Sequence, residues 1–240
     1  MLTMSHYHGD SHTGLDIALG KRPDTDAKRY VECIANSTVR RLEPREHVCR
    51  EGEAKHYVYQ VEHGAVCLYR SMPDGHRQIM DFAYPGDFVG LGTSERHMLS
   101  GQAIGQTRLR CIPVSAIRQL ATRDPEFCFR LYEALSAELS AARDLLATVG
   151  TRSAAERVAS FLVALARRNE RAGFAGNRIV LPMLRSDIAD FLSLTVETVS
   201  RTFTRLKQRG TIDLPQSAVV IIKDREELEQ VAGLSPPPAE

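Results

Sequence analysis

The chain has 240 residues, 31 Lys and Arg against 30 Asp and Glu, a net charge of +1, and 43% hydrophobic residues. That length suits one large or two modest domains, with enough apolar content for real cores. No apolar run approaches the roughly 18 residues that a membrane span needs, and the balanced charge excludes a global basic field, so any nucleic-acid contact must come from a local patch.

Residues 1–26 read as a polar leader, with His6, His8 and His12 among Gly, Asp, Ser and Thr. Imidazoles ligate transition metals, but this composition is that of a tail rather than a built site. The first residues carry neither a basic n-region nor an apolar h-region, so no secretory signal and a cytoplasmic location are expected. Residues 27–36 (AKRYVECIAN) predict a short helix.

From Val39 to Pro113 the pattern is one of short strands. VYQVEHGAVCLYR alternates apolar and polar positions around Gly64, as strand–turn–strand does. Turn signals recur at Glu51-Gly52-Glu53, His63-Gly64, Pro73-Asp74-Gly75 and Pro85-Gly86-Asp87. This spacing is that of a small antiparallel barrel or jelly roll. His47, His56, His63, His76 and His97 read as surface or turn histidines. Five scattered cysteines (Cys33, Cys49, Cys67, Cys111, Cys128) without CxxC spacing read as reduced thiols, with Cys67 and Cys111 in the core.

Residues 115–122 predict a small helix, and Asp124-Pro125-Glu126 opens a long one over 125–149, with proline and an acid suited to its first turn. Along it Cys128, Tyr132, Leu135, Leu139, Ala142, Leu146 and Val149 recur at spacings of four and three. That pattern fits either a face packed on the same subunit or a heptad seam between two copies; the helix length favours the seam and a homodimer.

Gly150-Thr151 interrupts the pattern and is expected as a hinge. Residues 152–172 predict an amphipathic helix opened by a Ser153/Glu156 capping box and ended at 173–177. A short strand, Ile179-Val180-Leu181, follows. Ser186-Asp187 can cap the next helix, in which Ile188, Phe191, Leu192 and Leu194 are apolar and Ala189 suits a close helix crossing. Ser193-Leu194-Thr195 sits where a tight turn belongs, with Ser193 in place of the usual glycine. A second periodic run places Val196, Val199, Phe203 and Leu206 on one face and Glu197, Ser200, Arg201 and Thr204 on the other. Two short helices joined this way make a helix-turn-helix, whose second helix enters the major groove of double-stranded DNA.

The side chains of that second helix suit the task. Arg201 can pair bidentately with guanine, Glu197 can accept from the cytosine amino group, and Ser200 sits beside them. Arg185, Thr195 and Thr198 are placed to hold phosphates. An isolated i, i+4 Glu–Arg pair would be an ordinary solvated contact, but here a basic run follows it (Arg201, Arg205, Lys207, Arg209). Beyond Gly210, TIDL and AVVII bracket Pro215-Gln216-Ser217 as a hairpin, the wing; 225–233 predict a short helix and SPPPAE a loose tail. No G-x-S-x-G, HExxH, P-loop or Rossmann signature lies in a fitting context, so no enzyme is expected.

TVETVSRTFTRLKQRG resembles the recognition helix of the Crp/Fnr transcription regulators, and Glu197, Ser200 and Arg201 match the E-xx-SR signature of the Fnr and FixK branches. The likeness extends from about Ala27 to Gly233 and is most specific in the last third. It implies an α+β chain in four parts: a leader (1–26), a cyclic-nucleotide-binding-like β-roll (27–124), a dimerisation helix (125–149), and a winged helix-turn-helix domain (150–240). It further implies a TTGAT-NNNN-ATCAA-like palindrome, activation through RNA polymerase, and control of microaerobic, anaerobic or nitrogen-fixation genes. Family members that bind cyclic nucleotide carry a Gly-Glu-Leu turn and an Arg-Ser or Arg-Thr pair, the Arg neutralising the phosphate. Here Gly90 is followed by Leu91-Gly92, the Arg-Ser position falls near Gly101-Gln102, and Glu95 and Arg96 are out of place. The Fnr-type sensor uses clustered N-terminal cysteines for an iron–sulfur cluster, and no cysteine precedes Cys33. No cofactor is therefore expected; control by protein level, by a thiol, or by an unknown or haem ligand in the roll stays open.

Overall fold

The computed structural model describes residues 37–234, without several side chains of the long helix between 130 and 149. The leader with its histidines, the helix expected over 27–36, Cys33 and the SPPPAE tail lie outside the described residues.

The roll is built from eight strands: β1 (Thr38–Leu42), β2 (His47–Cys49), β3 (Tyr57–His63), β4 (Val66–Ser71), β5 (Arg77–Ala83), β6 (Phe88–Val89), β7 (Ser100–Ala103) and β8 (Thr107–Pro113). They form two four-stranded antiparallel sheets, ordered β1-β8-β3-β6 and β2-β7-β4-β5. Alternating side chains meet between the sheets, where Leu42, Val48, Val61, Val66, Val89 and Leu109 are buried. Gly64 is required by sterics as well as by its φ of +83°: a Cβ there would lie 2.5 Å from the Gln106 carbonyl oxygen. Cys49, Cys67 and Cys111 are buried.

Two helices follow: α1 (Val114–Arg123) and the long α2 (Pro125–Thr151). The Asp124 carboxylate accepts the Phe127 amide at 3.0 Å and anchors the start of α2. The expected hinge at Gly150-Thr151 is displaced, because α2 runs through both residues and breaks only at Arg152-Ser153. One glycine costs a helix about 1 kcal/mol, too little to stop one that is otherwise well formed. Among the described residues no helix is long and apolar enough to cross a membrane.

The C-terminal unit comprises α3 (Ala154–Arg171), β9 (Arg178–Val180), α4 (Arg185–Leu192), α5 (Val196–Gln208), β10 (Ile212–Gln216), β11 (Val219–Ile222) and α6 (Arg225–Val231). Ser153 and Glu156 form the expected capping box, Ser153 N–H donating to Glu156 Oε2 at 2.7 Å. The wing hairpin β10–β11 takes β9 as its third strand, in the order β10-β11-β9. Val158, Leu162 and Ala166 of α3 pack with Ile188, Leu192, Val199, Phe203 and Leu206, and this core is continuous with Cys67, Ile79 and Phe82 of the roll.

Candidate nucleic-acid interface

The two helices α4 and α5 are joined by a turn whose first residue, Ser193, is left-handed at φ 53°, ψ 50°. Serine tolerates this single-residue excursion at a modest cost. The carbonyls at the end of α4 would be left unpaired by so sharp a turn. Arg157 of α3 supplies the missing donor, its Nη1 reaching Leu192 O at 3.1 Å and Ser193 O at 3.4 Å. No local pattern marks that arginine's role, since its target lies 35 residues away.

The start of α4 differs from expectation. Ser186 lies inside the helix, Leu184 is the N-cap residue, and Asp187 reaches back from the third position to accept the Leu184 amide at 2.9 Å. An acid at that position serves the orphan amides as well as a capping serine does.

α5 divides as its periodicity requires. Val199, Phe203 and Leu206 are buried, while Glu197, Ser200, Arg201 and Thr204 are exposed. Val196, expected on the apolar face, is 40% exposed because it stands at the first turn, beyond the reach of the core. Arg201 Nε lies along the helix, 3.4 Å from the Glu197 carbonyl.

Thr195 caps α5, its hydroxyl accepting the Thr198 amide at 3.2 Å and lying 3.0 Å from the Thr198 hydroxyl. Both hydroxyls thus stand at the positive end of the helix dipole, a place suited to an anion. Beside them Thr198, Arg201 and Arg205 line a groove of about 220 Å³ whose other wall is Ala154-Ala155 at the start of α3. Arg205 of the basic run thus shares this surface, and the start of α3, which nothing in the local sequence pointed to, forms its other side.

Arg185, expected at a phosphate, makes two contacts within the unit. Its guanidinium lies over the Phe203 ring, 3.7 Å from the centroid, and donates to the Ser217 carbonyl at 3.1 Å. Burial disfavours its charged form. In this arrangement it packs the wing against α5. In the basic run, Lys207 pairs with Asp213 at 3.3 Å.

On α2, Tyr132, Leu135 and Leu139 are 65%, 41% and 52% exposed, and Ala142 and Cys128 are exposed too. Phe129, 6.2 Å from Tyr132 between ring centroids, extends the same apolar stripe. The side chains of Leu146 and Val149 lie outside those described.

In the roll, the segment after β6 departs from the simple histidine reading. His97 is buried, its ring stacked on Tyr59 at 6.1 Å, and His47 is half-buried with its Nε2 3.0 Å from the Tyr69 hydroxyl. The Lys55 ammonium donates to Gly92 O at 2.8 Å, and Arg96 turns outward to Gly52 O at 2.7 Å. Burial pushes the Cys49 thiol up to about 11 and the Cys67 thiol up to about 12, and raises Cys111 as well. These three are poor nucleophiles at neutral pH.

Comparison with known proteins agrees on both parts. The Crp-like helix-turn-helix domain matches residues 156–231, and the cyclic nucleotide-binding domain matches residues 39–124. The nitrogen fixation regulation protein FixK of Azorhizobium caulinodans is 43% identical over 175 residues, covering 72% of this chain and 71% of that protein. The transcriptional activatory protein AadR of Rhodopseudomonas palustris is 38% identical over 182 residues, covering 76% of each. Among solved structures, FixK2 from Bradyrhizobium japonicum superposes with a TM-score of 0.78 at 34% identity, covering 83% of this chain and 99% of that one.

Proposed function

Because the chain belongs to the Crp/Fnr family of DNA-binding transcription regulators, we propose that it acts as a homodimeric activator reading a TTGAT-NNNN-ATCAA-like palindrome. The observation that carries this reading is the division of α5: Val199, Phe203 and Leu206 hold it to the core while Glu197, Ser200 and Arg201 point outward together. Arg201 pairs with the half-site guanine through O6 and N7, Glu197 accepts from a cytosine amino group, and Ser200 reaches an adjacent base edge. Thr195 and Thr198 hold a phosphate at the N-terminus of α5, with Arg205 adding charge on the same side. The names of FixK and AadR support a link to nitrogen fixation and activation of transcription; an activator of this kind takes RNA polymerase as its partner.

The second copy is engaged through α2. Tyr132, Leu135, Leu139 and Ala142, continued by Leu146 and Val149, form the seam of a parallel pair. A two-fold pair sets its recognition helices one turn of DNA apart, about 34 Å. The protein works without cyclic nucleotide or an iron–sulfur cluster. Supporting this, Leu91-Gly92 stand where the ribose-binding acid belongs, Arg96 faces the outer turn at Gly52, and Gln102 donates to Arg45 O at 2.8 Å.

The base contact is tested by fluorescence anisotropy on duplexes that keep or replace the half-site guanine. Arg201→Ala is expected to cost about 1–3 kcal/mol per half-site on the intact palindrome and little on the replaced one. Equal losses on both duplexes would remove Arg201 from base reading.

A further inference from the structure

The DNA-binding unit is held to the roll by more than the chain connection at Arg152-Ser153. Strand β5 is the edge of its sheet, hydrogen-bonded to β4, and it packs against α4. Arg77 pairs with the Asp187 carboxylate and places its Nε 3.9 Å from Asp190 Oδ2. The neighbouring Gln78 amide donates to the Asp190 carbonyl at 2.7 Å. At the far end of the strand the Phe82 ring lies 5.3 Å from Phe191, which in turn lies 5.8 Å from Phe161 of α3. Past β5, Asp87 pairs with Arg168 of α3 at 2.9 Å, and that guanidinium lies over the Tyr84 ring.

Asp187 is 7% exposed. A carboxylate so buried needs strong partners. One is the Leu184 amide, within the same helix start; the other is Arg77, 110 residues away in the roll. Arg77 is itself oriented by the roll, through Gln102 Oε1 at 3.4 Å and the face of Tyr69 at 5.8 Å. The first turn of the helix-turn-helix is therefore referenced to a fixed point on the sensor-like domain. The reference matters because of leverage. A rotation of about 10° acting over roughly 20 Å, the length of a helix the size of α5, moves the far end by about 3.5 Å, one base-pair step.

We propose that Arg77 is a positioning residue for DNA recognition: by pairing with Asp187 it fixes the angle at which each roll presents α5, and so the half-site spacing that a dimer accepts. This inference rests on the reading of α5 as the DNA-contacting helix.

The test uses the full chain carrying Arg77→Gln, which removes the charge, and Arg77→Lys, which keeps it. Binding is measured on TTGAT and ATCAA half-sites separated by three, four, five and six base pairs, and on a duplex with the guanine replaced. Wild type is expected to favour one spacing by about tenfold and Arg77→Gln by about threefold or less, with guanine discrimination unchanged and Arg77→Lys close to wild type. In protein without DNA, dipolar spectroscopy between spin labels at Glu43 and Gln216, diluted with unlabelled chain, reads the same latch. One narrow distance population is expected in wild type and Arg77→Lys, and a broad one in Arg77→Gln. Should Arg77→Gln fail to fold, Gln78→Ala is judged by the same criteria. A folded Arg77→Gln protein, or Gln78→Ala in its place, with wild-type spacing preference overturns the proposal, and so does an unchanged distance distribution in that variant. Wild-type protein with no half-site preference on any duplex refutes the DNA reading instead, and the distance distribution then decides the latch.

Discussion

The Arg185 guanidinium stacks on the Phe203 ring with its carbon 3.7 Å from the centroid, and the same group donates to the Ser217 carbonyl at 3.1 Å. One side chain thereby joins the start of α4, the middle of α5 and the wing turn. Its aliphatic stem covers apolar surface while its head serves the ring and the carbonyl. Arg185→Ala is expected to destabilise the fold by about 1–2 kcal/mol, read as a lower melting temperature. The slope of log K against log salt should stay as in wild type. A slope reduced by about one with an unchanged melting temperature would instead assign Arg185 to the phosphate contacts.

Backbone conformation sets a second pair of expectations. At Gly64 any side chain meets both a positive φ and the Gln106 carbonyl. Gly64→Ala is expected to cost more than about 2 kcal/mol in urea unfolding. Ser193, with open surroundings and φ of 53°, has the opposite sign: Ser193→Gly should gain up to about 1 kcal/mol. A loss on Ser193→Gly would mean that the serine side chain contributes more than its strain removes.

The exposed stripe on α2 predicts assembly. Leu135→Glu and Leu139→Glu place a charge where two copies would pack, which a desolvated seam tolerates poorly. In sedimentation velocity each variant should run as a monomer and lose selective DNA binding while remaining folded. A variant that still sediments as a dimer would put the interface elsewhere.

The buried His97 gives stability a pH dependence. Burial lowers its pKa, and the neighbouring Lys55 lowers it further. The folded value thus lies below the unfolded value of about 6.5. The contribution is present above the unfolded value and is lost as pH falls through the folded one. His47 is lowered as well, by burial and by Arg50, and carries the same sign. The melting temperature of wild type should fall between about pH 7.5 and about pH 5.5, and His97→Gln should fall less across that range. Parallel curves for the two proteins would assign the loss to other groups.

What the sequence disclosed was what local chemistry decides. The Ser153/Glu156 capping box spans three residues, the glycine turns at Gly52, Gly64, Gly75 and Gly86 are single-residue requirements, and the burial of Val199, Phe203 and Leu206 follows from helical period. What it hid depends on partners far along the chain. Arg185 has phosphate-binding chemistry, but its position beside Phe203 and Ser217 is set by how the wing folds back. Asp187 reads as a capping acid and is that, yet it also meets Arg77, 110 residues away. His97 reads as a loop histidine until the roll closes Tyr59 and Gly90 around it. Helix α2 passes Gly150 because a single weak helix former does not outweigh its neighbours.

The most direct measurement is a titration of purified protein, in air and without added ligand, on a TTGAT-NNNN-ATCAA duplex and on a scrambled duplex of equal length. Tight binding to the palindrome is expected, stronger than to the scrambled duplex by about three orders of magnitude or more. Equal affinity for the two duplexes would contradict it.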